Sequence, residues 1–341
     1  MSRLKDVARQ ANVSIATVSR VVNNAANIRD ETRFRVQLAM KQLKYRPSRI
    51  AKRLRSKSSS GNLIGVMVPD ISNPFYIDVL SGIEDYMYRQ NFLIIICNFS
   101  QDEKKEQLYL DALVSESVDG LIVAPAHEND QKIISLIKEN LPFVCIDRHL
   151  ADTDADVVVV DNEQGAFNAV NFLLECGYNK IAYVSGLPRI PTSRQRENGY
   201  RMALENHKIP FRSELIKYGD STHRSGIVLT EELLSQELIP DAIFTGNNLI
   251  TLGALEAIAV RGLKIPDDIG LIGFDDMPWS NSLNPPLTAV KQPAYEIGRR
   301  AAELLYQRII EPARPSVRIV LKTKLMIRKS TKSIPRKVKL N

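Results

Sequence analysis

From Leu63 onward the chain repeats one device, a short apolar run followed by a stretch with helical spacing. The runs are LIGVMV, FLIIIC, GLIVAP and PFVCID, then VVVV, KIAYVSG, AIFTG and IGLIGF. Strands interleaved with helices imply parallel sheets covered on both faces. There are two such series, joined around residues 147 to 161, with VVVV opening the second. The expected body, residues 62–330, is therefore two similar α/β lobes, each a doubly wound parallel sheet, with a cleft between them. No apolar run approaches the roughly 18 to 20 residues that cross a bilayer. The start of the chain, MSRLKDVARQ, has no apolar signal core, so a cytoplasmic protein is expected.

The charge distribution singles out the N-terminal part. Residues 1–60 carry fifteen Lys and Arg against three acids, and residues 322–341 carry eight bases and no acid. The middle is acidic, with 23 bases against 36 acids. A basic head on an acidic body suggests that the head alone meets a polyanion.

The pattern of the head says how. In LKDVARQANVSIATVSRVVN, Leu4, Val7, Ala8 and Ala11 share one helical face, and Val18, Val21 and Val22 share another. Asn12-Val13-Ser14 breaks the two: Asn12 tolerates positive φ, Val13 can plug the space between the helices, and Ser14 is suited to cap the second. This is helix-turn-helix grammar. Ile15, Ala16, Thr17 and Arg20 then project from the part of the second helix that enters a major groove. A third helix follows in DETRFRVQLAMKQLKY, with Val36, Ala39, Met40, Leu43 and Tyr45 as its packing face and Asp30 available to cap it. The α head is expected over residues 1–47, a hinge and linker over 48–61, and a basic tail over 331–341.

DVARQANVSIATVSRVVN followed by TRFRVQLAMKQLKYRPSRIAKRL resembles the N-terminal domain of the lactose-repressor (LacI/GalR) family of bacterial transcription regulators. The resemblance implies that Ile15 and Ala16 read base edges, with Thr17, Ser19 and Arg20 supporting base or phosphate contacts and Tyr45 and Arg46 near the DNA backbone. It extends the DNA-contacting set to Ser14, Asn23, Ala51 and Arg55. In RIAKRLRSKSSSG, Ile50, Ala51 and Leu54 fall on one face among bases. Such a segment is too short and too self-repelling to persist alone as a helix. Similarity to the family's hinge helix implies that on DNA Leu54 wedges into the central base step from the minor groove.

In the body, ligands of such sheets bind at the carboxyl ends of strands. Those positions hold Asn73, Phe75 and Tyr76, then Asp147 and Arg148, Asp161, Arg196, Asn247 and Asp275. Aromatic faces stack on sugar C–H faces, and Asp, Asn and Arg supply the acceptors and donors that hydroxyls need. IGVMVPDISNPFY, VDGLIVAP, GYNKIAYVSG, IPDDIGLIGFDD and NPPLTAVKQPAYEIG resemble the same family's effector domain, itself similar to periplasmic sugar-binding proteins. The resemblance adds Gln292 to the pocket and puts Ser221 where an aromatic wall often stands, and Asn248 where Asp is common. A pentose or other compact polyol fits, and a larger sugar, sugar acid or sugar phosphate stays open.

Other chemistries find less support. Asp147, Asp161 and Asp275 could act as paired carboxylates in glycoside hydrolysis, but they serve equally as hydroxyl acceptors, and no GxSxG, HExxH, Walker A or GxGxxG pattern occurs. Cys97, Cys145 and Cys176 lie far apart without CxxC spacing, and the four histidines are scattered. No metal or cofactor is expected. The partners expected are double-stranded DNA with a palindromic operator, a small sugar-like effector and a second copy of the chain. Two rival readings are a sugar-binding transport component, which has no use for residues 1–60, and a regulator whose body answers to a phosphocarrier-type protein.

Overall fold

The computed structural model describes residues 4–22, 25, 28–43, 45, 62–151 and 153–334. The chain divides into two compact units, one ending at Gly61 and one beginning at Asn62.

The first unit holds α1 (Leu4–Gln10), α2 (Ile15–Val22) and α3 (Asp30–Gln42). Asn12 turns the chain with φ at +50°. Ser14 Oγ then accepts the Thr17 N–H at 3.0 Å, satisfying one of the orphan donors at the start of α2. Val7, Ala8, Ala11, Val18, Val21, Val36 and Ala39 form the core, with Val13, Met40, Leu43 and Tyr45 packed against it. The start of α3 differs from expectation. Arg29 occupies the cap position and its side chain makes no capping bond, while Asp30 is the first helical residue. There Asp30 and Glu31 act through the positive end of the helix dipole instead.

In the second unit the first lobe alternates β1 (Leu63–Val68), α4 (Pro74–Arg89), β2 (Leu93–Asn98), α5 (Glu103–Ser115), β3 (Gly120–Val123), α6 (Gln131–Lys138) and β4 (Phe143–Ile146), ending in β5 (Asp156–Val160). The second lobe runs α7 (Asn162–Glu175), β6 (Ile181–Ser185), α8 (Pro191–Asn206), β7 (Ile216–Tyr218), α9 (His223–Ser235), β8 (Ala242–Thr245), α10 (Asn248–Val260), β9 (Gly270–Phe274) and β10 (Thr288–Lys291). The chain then returns through α11 (Ala294–Ile310) and β11 (Arg318–Leu321) to the first lobe, and ends in the second with β12 (Lys324–Met326). The sheet orders are β11-β5-β4-β3-β1-β2 and β12-β10-β9-β8-β6-β7. All pairings are parallel except β10 with β12.

Two expectations are corrected here. VVVV does not open the second series; as β5 it is paired through Cys145↔Val157 and Ile146↔Val158 with β4, and β11 covers its other edge. The lobes are therefore joined by three strands of chain, near Asp161, between Lys291 and Ala294, and at Lys322-Thr323. The tail also begins later than residue 331. Thr331 is buried, and the Lys332 N–H donates to the Tyr178 hydroxyl at 3.0 Å.

The returning segment is held by close packing and by one buried carboxylate. Helices α4 and α11 cross so tightly that a Cβ on Gly298 would strike the carbonyl of Val79. Asp156, 1% exposed, accepts Arg314 Nη2 at 2.6 Å and Arg308 Nε at 3.1 Å on Oδ2, and the Val317 N–H at 2.8 Å on Oδ1. Its removal would leave two guanidiniums mostly buried without their counter-charge. Asp156→Ala is expected to cost about 3 to 5 kcal/mol, read as a melting temperature lower by roughly 10 °C. An unchanged melting curve would contradict this role.

Candidate ligand cleft and recognition helix

A cavity of about 370 Å³ lies where the carboxyl ends of strands from both sheets face each other. The loops after β1, β2 and β4 supply one wall, and those after β6, β7, β8, β9 and β10 supply the other.

On the first wall, Asn73 caps α4 by accepting the Phe75 N–H at 2.9 Å. The rings of Phe75 and Tyr76 meet edge to face at 5.0 Å. The Tyr76 hydroxyl donates to Asp147 Oδ2 at 2.9 Å. Burial, reinforced by the Asp147 charge, holds the Tyr76 phenol well above its ordinary pKa, so it stays a neutral donor. Arg148 Nε lies 3.5 Å from the same Asp147 oxygen, and its Nη1 donates to Gln101 Oε1 at 3.1 Å and to the Pro125 carbonyl at 3.2 Å.

On the second wall, Arg196 of α8 lies over the Phe274 ring, its Cζ 3.8 Å from the centroid. It donates from Nε to Asn162 Oδ1 at 2.9 Å and from Nη1 to the Gly246 carbonyl at 2.5 Å. Asp275 accepts Gln292 Nε2 at 2.5 Å. Burial pushes the Asp275 carboxyl up, against the opposing pull of Arg196 and of the Gln292 hydrogen bond. Asn247 caps α10 through the Ile250 N–H at 2.7 Å and donates to the Ser221 carbonyl at 3.0 Å. Gly186 has no side chain where the Ser221 and Ser193 hydroxyls crowd in.

Backbone conformation marks the same place. Asp147, Ser221 and Asp275 have φ of +63°, +70° and +75°, and the lining residues Ser100 and Gln101 have +55° and +58°. Asn91, Ser117, Asn140 and Lys208 also have positive φ, but each follows a helix end, where that conformation closes the last turn. The five in the cavity have no such reason, and strained backbone persists where the surroundings enforce a side-chain direction.

Ten of the eleven residues expected in the pocket line this cavity: Asn73, Phe75, Tyr76, Asp147, Arg148, Arg196, Ser221, Asn247, Asp275 and Gln292. Asp161 does not. It accepts the Thr323 N–H at 2.7 Å and lines an adjoining pocket with His149 and Phe167; its carboxylate joins two of the crossing strands of chain. The sequence reading missed Asp70, Ser100, Gln101, Thr192, Ser193, Asp220 and Thr222, which also line the cavity. Among the described residues no group of His, Cys, Asp and Glu is arranged to hold a metal ion, and no helix is long and apolar enough to cross a membrane.

Behind Arg148 lies Glu106, 0% exposed. Its Oε1 accepts the Ala126 N–H at 3.0 Å, while burial raises its carboxyl to about 7. A carboxyl whose pKa is raised on folding binds its proton more tightly in the native state, so stability falls as pH rises from about 4.5 to 7. Glu106→Gln is expected to remove a loss of roughly 1 to 3 kcal/mol across that window. Denaturant melts from pH 5 to 8 check it, and parallel slopes in variant and wild type would contradict it.

In the first unit, Ile15, Ala16 and Arg20 are exposed on α2, and Thr17 and Ser19 are half-buried beside them. Ser14 caps the helix, and its hydroxyl lies 2.9 Å from that of Thr17. Tyr45 packs against the head core. Asn23, Arg46, Ala51, Leu54 and Arg55 lie outside the described residues.

Comparison with known proteins follows the same division. Residues 3–48 match the bacterial regulatory proteins of the lacI family, and residues 170–331 match a periplasmic binding protein-like domain. Catabolite control protein A of Priestia megaterium is 37% identical over 328 residues, covering 96% of this chain and 98% of that protein. The lac repressor dimer bound to operator and the anti-inducer ONPF is 28% identical with a TM-score of 0.83, covering 97% of this chain and 99% of that one. A LacI family transcriptional regulator from Enterococcus faecium with bound ribose is 31% identical, with a TM-score of 0.72 over 80% of this chain and 100% of the other.

Proposed function

The chain belongs to the lacI family of bacterial regulatory proteins and is a DNA-binding transcription regulator; from that premise we propose that it represses carbohydrate-use genes, binding a palindromic operator as a homodimer switched by a small neutral polyol. The observation that carries the ligand class is the pairing of two acceptor–donor clusters across the cavity, Tyr76-Asp147-Arg148 and Arg196-Asp275-Gln292. Each hydroxyl of a polyol is both donor and acceptor, and such mixed clusters answer both needs. Phe75 and Tyr76 add apolar faces for the sugar C–H groups.

Charge favours a neutral ligand over a sugar acid or sugar phosphate. Asp70, Asp147, Asp220 and Asp275 line the cavity against two guanidiniums, Arg148 and Arg196, and both guanidiniums already donate to protein oxygens. The relative with bound ribose supports a ligand of this size. Isothermal titration calorimetry with pentoses, hexoses and uronates tests the class: a neutral sugar binds and the uronates bind more weakly. Silence across the panel would sink it and favour a protein effector.

For the head, exposed Ile15 and small Ala16 suit close approach to a thymine methyl, and Thr17, Ser19, Arg20, Asn23, Tyr45 and Arg46 are assigned supporting contacts. One head of this size contacts few bases, so two copies on a two-fold axis reading a palindrome suit the task. Leu54, flanked by Ala51 and Arg55, is assigned the minor-groove wedge. Closure of the lobes around the ligand would then move the two hinges relative to each other and change operator affinity.

A further inference from the structure

One buried hydrogen bond joins the two lobes directly across the cleft. Asn248 Nδ2 donates to Asn73 Oδ1 at 2.8 Å, and the two residues are 1% and 8% exposed. The same Asn73 oxygen accepts the Phe75 N–H and so caps α4. Neither amide can turn over. Rotating Asn73 would forfeit the cap and set amino group against amino group. Rotating Asn248 would set oxygen against oxygen, and it would also lose the contact of Nδ2 with Met277 Sδ at 3.2 Å. Asn248 Oδ1 is buried without a partner, so the donor end alone accounts for how this side chain is held. At the rim, Arg194 and Glu128 make a second interlobe contact of 2.7 Å, but both are partly exposed and an ion pair there contributes little.

We propose that Asn248 is a positioning residue: its amide latches the lobes toward closure before any effector arrives and holds the Asn73 amide with its amino group left to face the cavity. Asn248 itself does not line the cavity, so its action on the ligand is through Asn73 and through the closed fraction. The apparent affinity for an effector scales with the fraction of molecules already competent to bind. The latch thus sets the concentration at which the regulator responds. That consequence rests on the effector reading of the cleft, whereas the latch itself is measurable without any ligand.

The test uses the full chain with nitroxide labels at Gln131 and Arg224, two exposed positions at helix starts in the first and second lobes. The background carries Cys97→Ser, because Cys145 and Cys176 are buried and Cys97 is not. Labelled chains are diluted in a large excess of unlabelled ones, so that pulsed dipolar spectroscopy reads distances within one chain. Asn248→Ala removes the donor but keeps the backbone N–H that bonds Asp275. Asn73→Ser keeps a capping oxygen for α4 but shortens the acceptor. Each is expected to lower the ligand-free closed-to-open ratio about 2- to 10-fold, and the double variant to lower it no further than the larger single effect. Unchanged distance distributions in both single variants, or fully additive shifts in the double, would overturn the latch. Because no ligand enters, a failure of the effector reading appears separately, in the calorimetry.

Discussion

Arg196→Ala is expected to weaken effector binding by about 100-fold or more. Arg196 is 6% exposed and is the cation that offsets buried Asp275. It is fixed by three independent contacts, with Asn162, the Gly246 carbonyl and the Phe274 ring. Truncating one member of such a buried charge pair costs about 2 to 5 kcal/mol, much of it because the partner is left uncompensated. Without Arg196 the Asp275 carboxyl loses the charge that opposes its burial and is pushed further up, which weakens it as an acceptor for a ligand hydroxyl. Arg196→Lys should recover only part of the loss, because a lysine cannot stack a planar group on Phe274. Calorimetry with the bound sugar, run beside thermal melts to confirm folding, reads the effect. Full affinity in a folded Ala variant would remove Arg196 from the site.

Leu54→Ala is expected to lower operator affinity about 10- to 100-fold, since a lost wedge forfeits the bent duplex and the contacts the bend allows. Effector affinity should not change. The salt dependence is the sharper reading. Leu54 touches no phosphate in this account, so the slope of log affinity against log salt should match that of the wild type. A neutralised lysine in the same segment would reduce it. Equal operator affinity for the variant and the wild type would end the wedge assignment.

The sequence carried the type of each element further than its assignment to a sheet. Apolar runs such as VVVV and AIFTG announce buried parallel strands, but a run of valines fits either sheet equally well. What places β5 in the first lobe is its pairing with β4 and β11, together with Asp156 holding the returning segment, all contacts between residues distant in sequence. The same misplacement explains Asp161. It follows a strand, as Asp147 and Asp275 do, yet that strand ends at a crossing between lobes rather than in the cavity, and its carboxylate bonds Thr323. The pocket residues found in advance all sit directly after a strand or carry a strong chemical type. Thr192 and Ser193, at the start of α8, and Gln101, in the loop after β2, were missed because single hydroxyls and amides have no pattern. The signal that could have found Gln101 is its positive φ, which sequence does not report. In the head, Ser14, Asn12 and the apolar faces were legible because a cap, a positive φ and helical spacing are local properties. The start of α3 was less so, because Asp30 serves an N-terminus equally well as a cap or as a first-turn charge.

The central claim is that ligand in the cleft and affinity for DNA are coupled. The most direct measurement is a titration of the purified full chain on a palindromic operator selected with that protein, repeated with and without a saturating concentration of the sugar that binds by calorimetry. A coupling of about 5- to 150-fold in operator affinity is predicted, with either sign, and it should vanish in Arg196→Ala. A sugar that fills the cleft while operator affinity stays the same would contradict the account.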